Sequence, residues 1–146
     1  MGKTAKCDEL YQLIGEIFQI NGKLLANGDR LSAQYDLTGA RWQVLGALKM
    51  ENCPLTVAQI ARRMGLQRQS VQRLVDIMVK QKILTYIPNP EHKRAKLVDL
   101  TKHGSKVCEK LGETKQCWAD EIVKGFTHEE LEQTIRVLQK LGDRLD

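Results

Sequence analysis

Between Thr56 and Lys80 two short amphipathic segments meet at a single glycine. The first, VAQIARRM, places Val57, Ile60 and Ala61 on one side. Thr56, with Gln59 three residues on, has the spacing of a capping box and marks the start of this helix. Gly65 ends it, since an abrupt helix end favours a residue that tolerates the left-handed region. The second segment follows at once, from about Gln67 to Lys80, with Val71, Leu74, Val75 and Met78 at helical spacing. A short helix, a tight turn and a second helix make a helix-turn-helix.

The polar side of that second helix carries Gln67, Arg68, Gln69, Ser70, Gln72 and Arg73, with one carboxylate, Asp76. A solvated helix face ordinarily mixes Glu with Lys, because opposite charges three or four residues apart support one another. Gln and Arg instead form paired hydrogen bonds, Gln with adenine and Arg with guanine. A scarcity of acid suits a face set against phosphates. Gln69, Gln72 and Arg73 lie opposite the apolar stripe, and Arg68 can reach out from the first turn.

After Lys80 the period changes. LTYI (84–87) predicts a strand, PNPEHKR (88–94) a basic turn-prone tip, and AKLVDL (95–100) a returning strand. Leu97 and Val98 are adjacent, so alternation in the second strand is not clean. One hairpin is marginal unless it packs on something, and a helix-turn-helix followed by a hairpin is a winged helix.

The flanks read as helices. Leu10, Leu13, Ile14, Ile17, Phe18, Leu24 and Leu25 predict a long helix from Asp8 to about Leu31, closed by Tyr35-Asp36. Gly15, Gly22 and Gly28 weaken it by about 1 kcal/mol each relative to Ala. Thr38 is placed to cap a helix with Trp42, Leu45 and Leu48 inward, which Cys53-Pro54 breaks. Thr101 opens another, running to about Lys124 with Val107, Cys108 and Leu111 on one face. Beyond Gly125, Thr127 and Glu130 make a second capping box for a last helix striped by Leu131, Ile135, Leu138, Leu141 and Leu145.

Charge supports a polyanion partner. From Thr38 to Thr101 there are 11 Lys and Arg against 4 Asp and Glu, while the rest has 12 against 14. A basic centre between near-neutral ends is the footprint of a nucleic-acid surface. The first residues hold no long apolar run, so no signal peptide is expected. No stretch approaches the roughly 18 apolar residues of a membrane span. Cys7, Cys53, Cys108 and Cys117 form no CxxC, and His92, His103 and His128 share no ligand spacing. The expectation is a cytoplasmic protein with reduced thiols, no metal, no cofactor and no catalytic constellation.

LTGARWQVLGAL, LTVAQIARRMGLQRQSVQRLVDIMVKQKIL and NPEHKRAKLVDLTKHG together resemble the MarR family of bacterial winged helix-turn-helix transcriptional regulators. The resemblance covers nearly the whole chain. It implies a mainly α fold of about six helices and a β-hairpin wing, arranged as a homodimer. Residues 1–36 and 102–146 would form the dimerisation layer around a DNA-binding domain at 37–101. It carries DNA-binding roles over to Gln67, Arg68, Gln69, Ser70, Gln72 and Arg73, and to Lys93, Arg94 and Lys96 of the wing. Arg94 would enter the minor groove. His92 stands where the family usually has Asp, and Lys82 where it usually has Gly. Many relatives bind a small aromatic or phenolic effector near the junction where Tyr35, Arg41 and Trp42 would lie. One branch senses hydroperoxides through an early cysteine, which CDELY at Cys7 echoes. The expected function is a dimeric regulator, a repressor of pseudo-palindromic operators on double-stranded DNA, released by such an effector. The alternatives are a redox sensor working through Cys7, or a winged-helix module that binds protein.

Overall fold

The computed structural model describes residues 4–146; residues 1–3, with which the first expected segment begins, lie outside the described residues. Helix α1 (Ala5–Ser32) runs unbroken through its three glycines, and a 3-10 turn at Ala33–Tyr35 closes it. Gly15 and Gly22 face open space, but a Cβ on Gly28 would lie 2.9 Å from both Gly39 Cα and the Trp42 ring. That absent side chain lets α1 meet α2 (Gly39–Glu51) at backbone contact. The first turn of α2 has two of its free N–H groups satisfied. Thr38 Oγ1 accepts from Arg41 N at 3.2 Å, and Asp29 Oδ1 accepts from Gly39 N at 2.6 Å.

The helix-turn-helix forms as its punctuation predicts. After the short strand β1 (Leu55–Thr56), α3 (Val57–Met64) carries both arms of the Thr56/Gln59 capping box and ends at Gly65 with φ +64°. Helix α4 (Arg68–Lys80) follows directly. Its Val71, Val75 and Met78 are fully buried, in a core shared with Val44, Ile60, Leu84 and Val98. Each such side chain contributes about 1.5–3 kcal/mol of burial free energy. Leu74, on the same stripe, is only partly buried.

Strands β2 (Leu84–Ile87) and β3 (Leu97–Leu100) make the wing. The sheet has a third strand that the alternation pattern does not predict, because β1 is only two residues long. The order is β1-β3-β2, all antiparallel, with Val98 opposite both Leu55 and Tyr86. Strand β3 starts two residues later than the pattern suggests. Ala95 is engaged in the tip instead, its carbonyl accepting from Asn89 Nδ2 at 2.9 Å and its N–H donating to His92.

Lys82, just before β2, has φ +60°. The backbone is therefore left-handed at a residue with a Cβ, at a cost of about 1–2 kcal/mol. Thr101 Oγ1 donates to the Lys82 carbonyl at 2.5 Å and accepts from Gly104 N at 2.9 Å, tying this turn to the start of α5 (Lys102–Ile122). Gly104 is obligatory, since a Cβ there would fall 2.0 Å from the Ile83 carbonyl oxygen.

The chain forms two compact units, one ending at Gly112 and the other spanning Glu113–Asp146. In the second, a 3-10 turn (Val123–Gly125) leads to α6 (His128–Leu145), whose Thr127/Glu130 capping box is complete. None of the residues of α6 is buried. Among the described residues no helix is long and apolar enough to cross a membrane, and no cluster of His, Cys, Asp and Glu could hold a metal ion. The fold is mainly helical with a small antiparallel sheet, a winged helix-turn-helix.

Candidate nucleic-acid interface

Burying Val71, Val75 and Met78 turns the opposite side of α4 outward. Gln69 and Arg73, one helical turn apart, hold the crest of that side and are exposed. Gln67, Arg68 and Ser70 are exposed as well. Gln67 is the N-cap residue and its side chain makes no capping bond, so the first turn of α4 keeps its free N–H groups.

The wing comes up beside one edge of α4. Arg68, Gln72 and Asp76 of α4, Tyr86 of β2, and His92, Arg94 and Lys96 of the wing line one open groove of about 590 Å³ with the start of α3. The structure thus brings Arg68, Gln72, Arg94 and Lys96 to a common surface from segments some twenty residues apart in the chain. Lys93 lies on the neighbouring side of the wing with Ile87, Pro88 and Asn89.

The single carboxylate of the Gln/Arg helix has a definite occupation. Tyr86 Oη donates to Asp76 Oδ1 at 2.7 Å, and Gln72 Nε2 donates to Asp76 Oδ1 at 3.0 Å and to Tyr86 Oη at 2.6 Å. Burial, with the adjoining Asp76 carboxylate, pushes the Tyr86 phenol up to about 12, so it remains a neutral donor. Sequence reasoning missed this cluster. Asp76 four residues after Gln72 was a signal, but the tyrosine arrives only through the packing of the wing.

The histidine of the wing also has a defined role. His92 Nδ1 accepts from Arg94 N at 3.3 Å and from Ala95 N at 3.1 Å, which makes Nδ1 the unprotonated ring nitrogen. An imidazole thus does what a carboxylate at this position could do, holding the backbone of the arginine-bearing turn. Arg94 itself is exposed.

The remaining candidates sit elsewhere. Trp42 and Tyr35 pack against the core near the α1–α2 crossing. Arg41 Nη1 donates to the Asp36 carbonyl at 3.4 Å, and its Nε is buried without a partner among the described residues. None of the three lines the groove beside α4. Cys7 is exposed on the first turn of α1, where Thr4 Oγ1 donates to its sulfur at 3.2 Å.

Known proteins share this architecture. Residues 35–95 match the family model described as MarR family. An uncharacterized protein of Mycobacterium tuberculosis is 39% identical over 59 residues, 40% of this chain and 41% of that one. The matched segment thus spans about two-fifths of that relative's length. The transcriptional activatory protein BadR of Rhodopseudomonas palustris is 28% identical over 105 residues, 70% of this chain and 60% of that one. Wild-type MarR of E. coli in its apo form superposes with a TM-score of 0.71 at 25% identity, covering 88% of this chain and 96% of that one. A mutant of that MarR complexed with operator DNA superposes at 0.77 and 24% identity, over 92% and 96%.

Proposed function

From a chain whose residues 35–95 belong to the MarR family, we propose a sequence-specific, double-stranded-DNA-binding transcriptional regulator, working in the cytoplasm as a homodimer. The family and the fold are those of transcriptional regulators, which are not enzymes. One observation carries the reading: Arg68 and Gln72 of α4 line one groove with Arg94 and Lys96 of the wing, and the only acid of that helix is engaged by Tyr86. Helix α4 enters a major groove, where Gln69 and Arg73 on its crest meet base edges. Gln67, Arg68 and Ser70 serve the first turn at the backbone or neighbouring bases. The wing sets Arg94 toward the flanking minor groove, with Lys93 and Lys96 on phosphates.

The dimer reading rests on unpartnered apolar surface at both ends of the chain. In α1, Phe18 is 74% exposed, and in α6, Ile135 is 54% exposed. A second copy covers such stripes and supplies the two-fold axis that a pseudo-palindrome requires. Residues 1–36 and 102–146 are then the dimerisation layer around 37–101. Regulation is repression released by a small aromatic or phenolic effector. The Arg41 Nε, buried without a partner among the described residues, is the donor that an acidic effector would meet.

The test is to incubate the protein with a random DNA pool, recover the bound fraction and sequence it. The expected result is an enriched pseudo-palindrome with half-sites one helical turn apart, bound more weakly as salt rises. Binding without enrichment would leave only a nonspecific role, and no binding by the folded protein would point to a protein partner.

A further inference from the structure

Gln72 differs from the other polar residues of α4. Its flank faces the wing, it is half-buried, and its amide nitrogen lies in a closed triangle with Asp76 Oδ1 and Tyr86 Oη whose sides are 2.6, 2.7 and 3.0 Å. Donor and acceptor roles in that triangle follow from chemistry. The carboxylate can only accept, so the phenol must donate to it, and both oxygens take hydrogen from the Gln72 amide. An amide flipped end for end would set its carbonyl oxygen against the carboxylate. Its orientation is therefore set. The two N–H bonds of a planar amide diverge too widely to aim one at each vertex of so small a triangle. One N–H is shared between Asp76 and Tyr86, which leaves the second N–H and the carbonyl oxygen of the same planar group. A donor next to an acceptor on one planar group is the complement of adenine N7 and N6–H₂ in the major groove.

We propose that Tyr86 and Asp76 are positioning residues for base reading, holding the Gln72 amide in the single orientation that reads an adenine in each half-site. The assignment rests on the DNA-binding reading above. It makes the wing strand part of sequence discrimination through a residue that itself touches no base, because Tyr86 reaches α4 only when β2 is packed against it. Gln72 paired this way is pre-organised, so no rotamer freedom is lost when the base arrives.

The experiment is sequencing of the bound fraction of a random DNA pool for the wild type, Gln72→Ala, Tyr86→Phe and Asp76→Asn, each first checked for a cooperative thermal transition. Gln72→Ala is expected to erase an adenine preference of about tenfold at one position per half-site, leaving the other positions as they were. Tyr86→Phe and Asp76→Asn, by different chemistry, are expected to lower the same preference by about threefold or more at that position alone. If the wild type enriches no sequence, the DNA-binding reading falls and this assignment with it. If it enriches a site that Gln72→Ala reads unchanged, Gln72 is no reader, and this assignment alone is overturned. If Gln72→Ala loses the adenine while both other variants keep it, or weaken all sequences equally, the triangle is a structural brace and the positioning role is overturned.

Discussion

Helices α4 and α6 have the same amphipathic pattern in sequence and opposite fates in the chain. The stripe of α4 is spent internally, with Val71, Val75 and Met78 at 0% exposure. The stripe of α6 stays at the surface, with Leu138 41% and Leu145 77% exposed. Their N-termini differ in the reverse sense. Helix α6 has a complete capping box and an i,i+4 pair of Glu132 with Arg136 at 3.1 Å, whereas α4 begins at Gln67 with no side-chain cap. A helix held by core packing can leave its first turn unsatisfied for a ligand. A helix without buried residues depends on local bonds and on whatever covers it.

The sharpest way to break this comparison is a charge on each stripe. Val75→Asp is expected to cost about 4 kcal/mol or more, because the charge is buried without a partner, and urea unfolding would measure it. Ile135→Glu with Leu138→Glu is expected to leave helical content intact while weakening self-association about a hundredfold, roughly 3 kcal/mol, read by sedimentation equilibrium. Loss of the fold in the second variant would show that α6 is as internally committed as α4.

Function separates the regions next. Arg94→Ala is expected to weaken DNA binding by about 1–3 kcal/mol and to reduce the log–log salt slope by about 1, in a titration at several salt concentrations. An unchanged slope would remove Arg94 from the interface. Thr127→Ala is expected to cost about 1 kcal/mol, through loss of the cap bond to Glu130 N at 3.2 Å. Thermal unfolding would register this at α6, and no effect would mean that the cap there is redundant.

The smallest effect is a pH dependence on the α4 side. Tyr86 has its pKa raised from 10.0 to about 12 in the fold, chiefly by burial and then by Asp76. The neutral phenol is the form that the fold favours. Its contribution to stability is therefore complete below pH 10.0 and lost as pH rises through about 12. Tyr86→Phe should lack this alkaline decline in stability. Equal declines in the two proteins would mean that burial and Asp76 do not hold the Tyr86 phenol neutral in the fold.

What the sequence determined by itself was every feature written in local chemistry. Thr38, Thr56 and Thr127 cap helices where their spacing predicts, because a cap involves neighbours within three residues. Gly65 turns where two periodic segments meet, and Val71, Val75 and Met78 face inward because helical spacing puts them on one side. The exposed Gln/Arg face was legible for the same reason. The tertiary structure alone decided what depends on distant partners. Strand β1 is too short to announce itself and exists because Val98 lies opposite Leu55. Gly28 looks like a helix weakness until its backbone meets that of Gly39. Asp76 reads as a stray acid and Tyr86 as an ordinary strand residue until the sheet carries the phenol to the carboxylate. Sequence reports a residue's chemistry and its near neighbours, and a hydrogen bond across ten residues or more exists only once the core has fixed which surfaces meet.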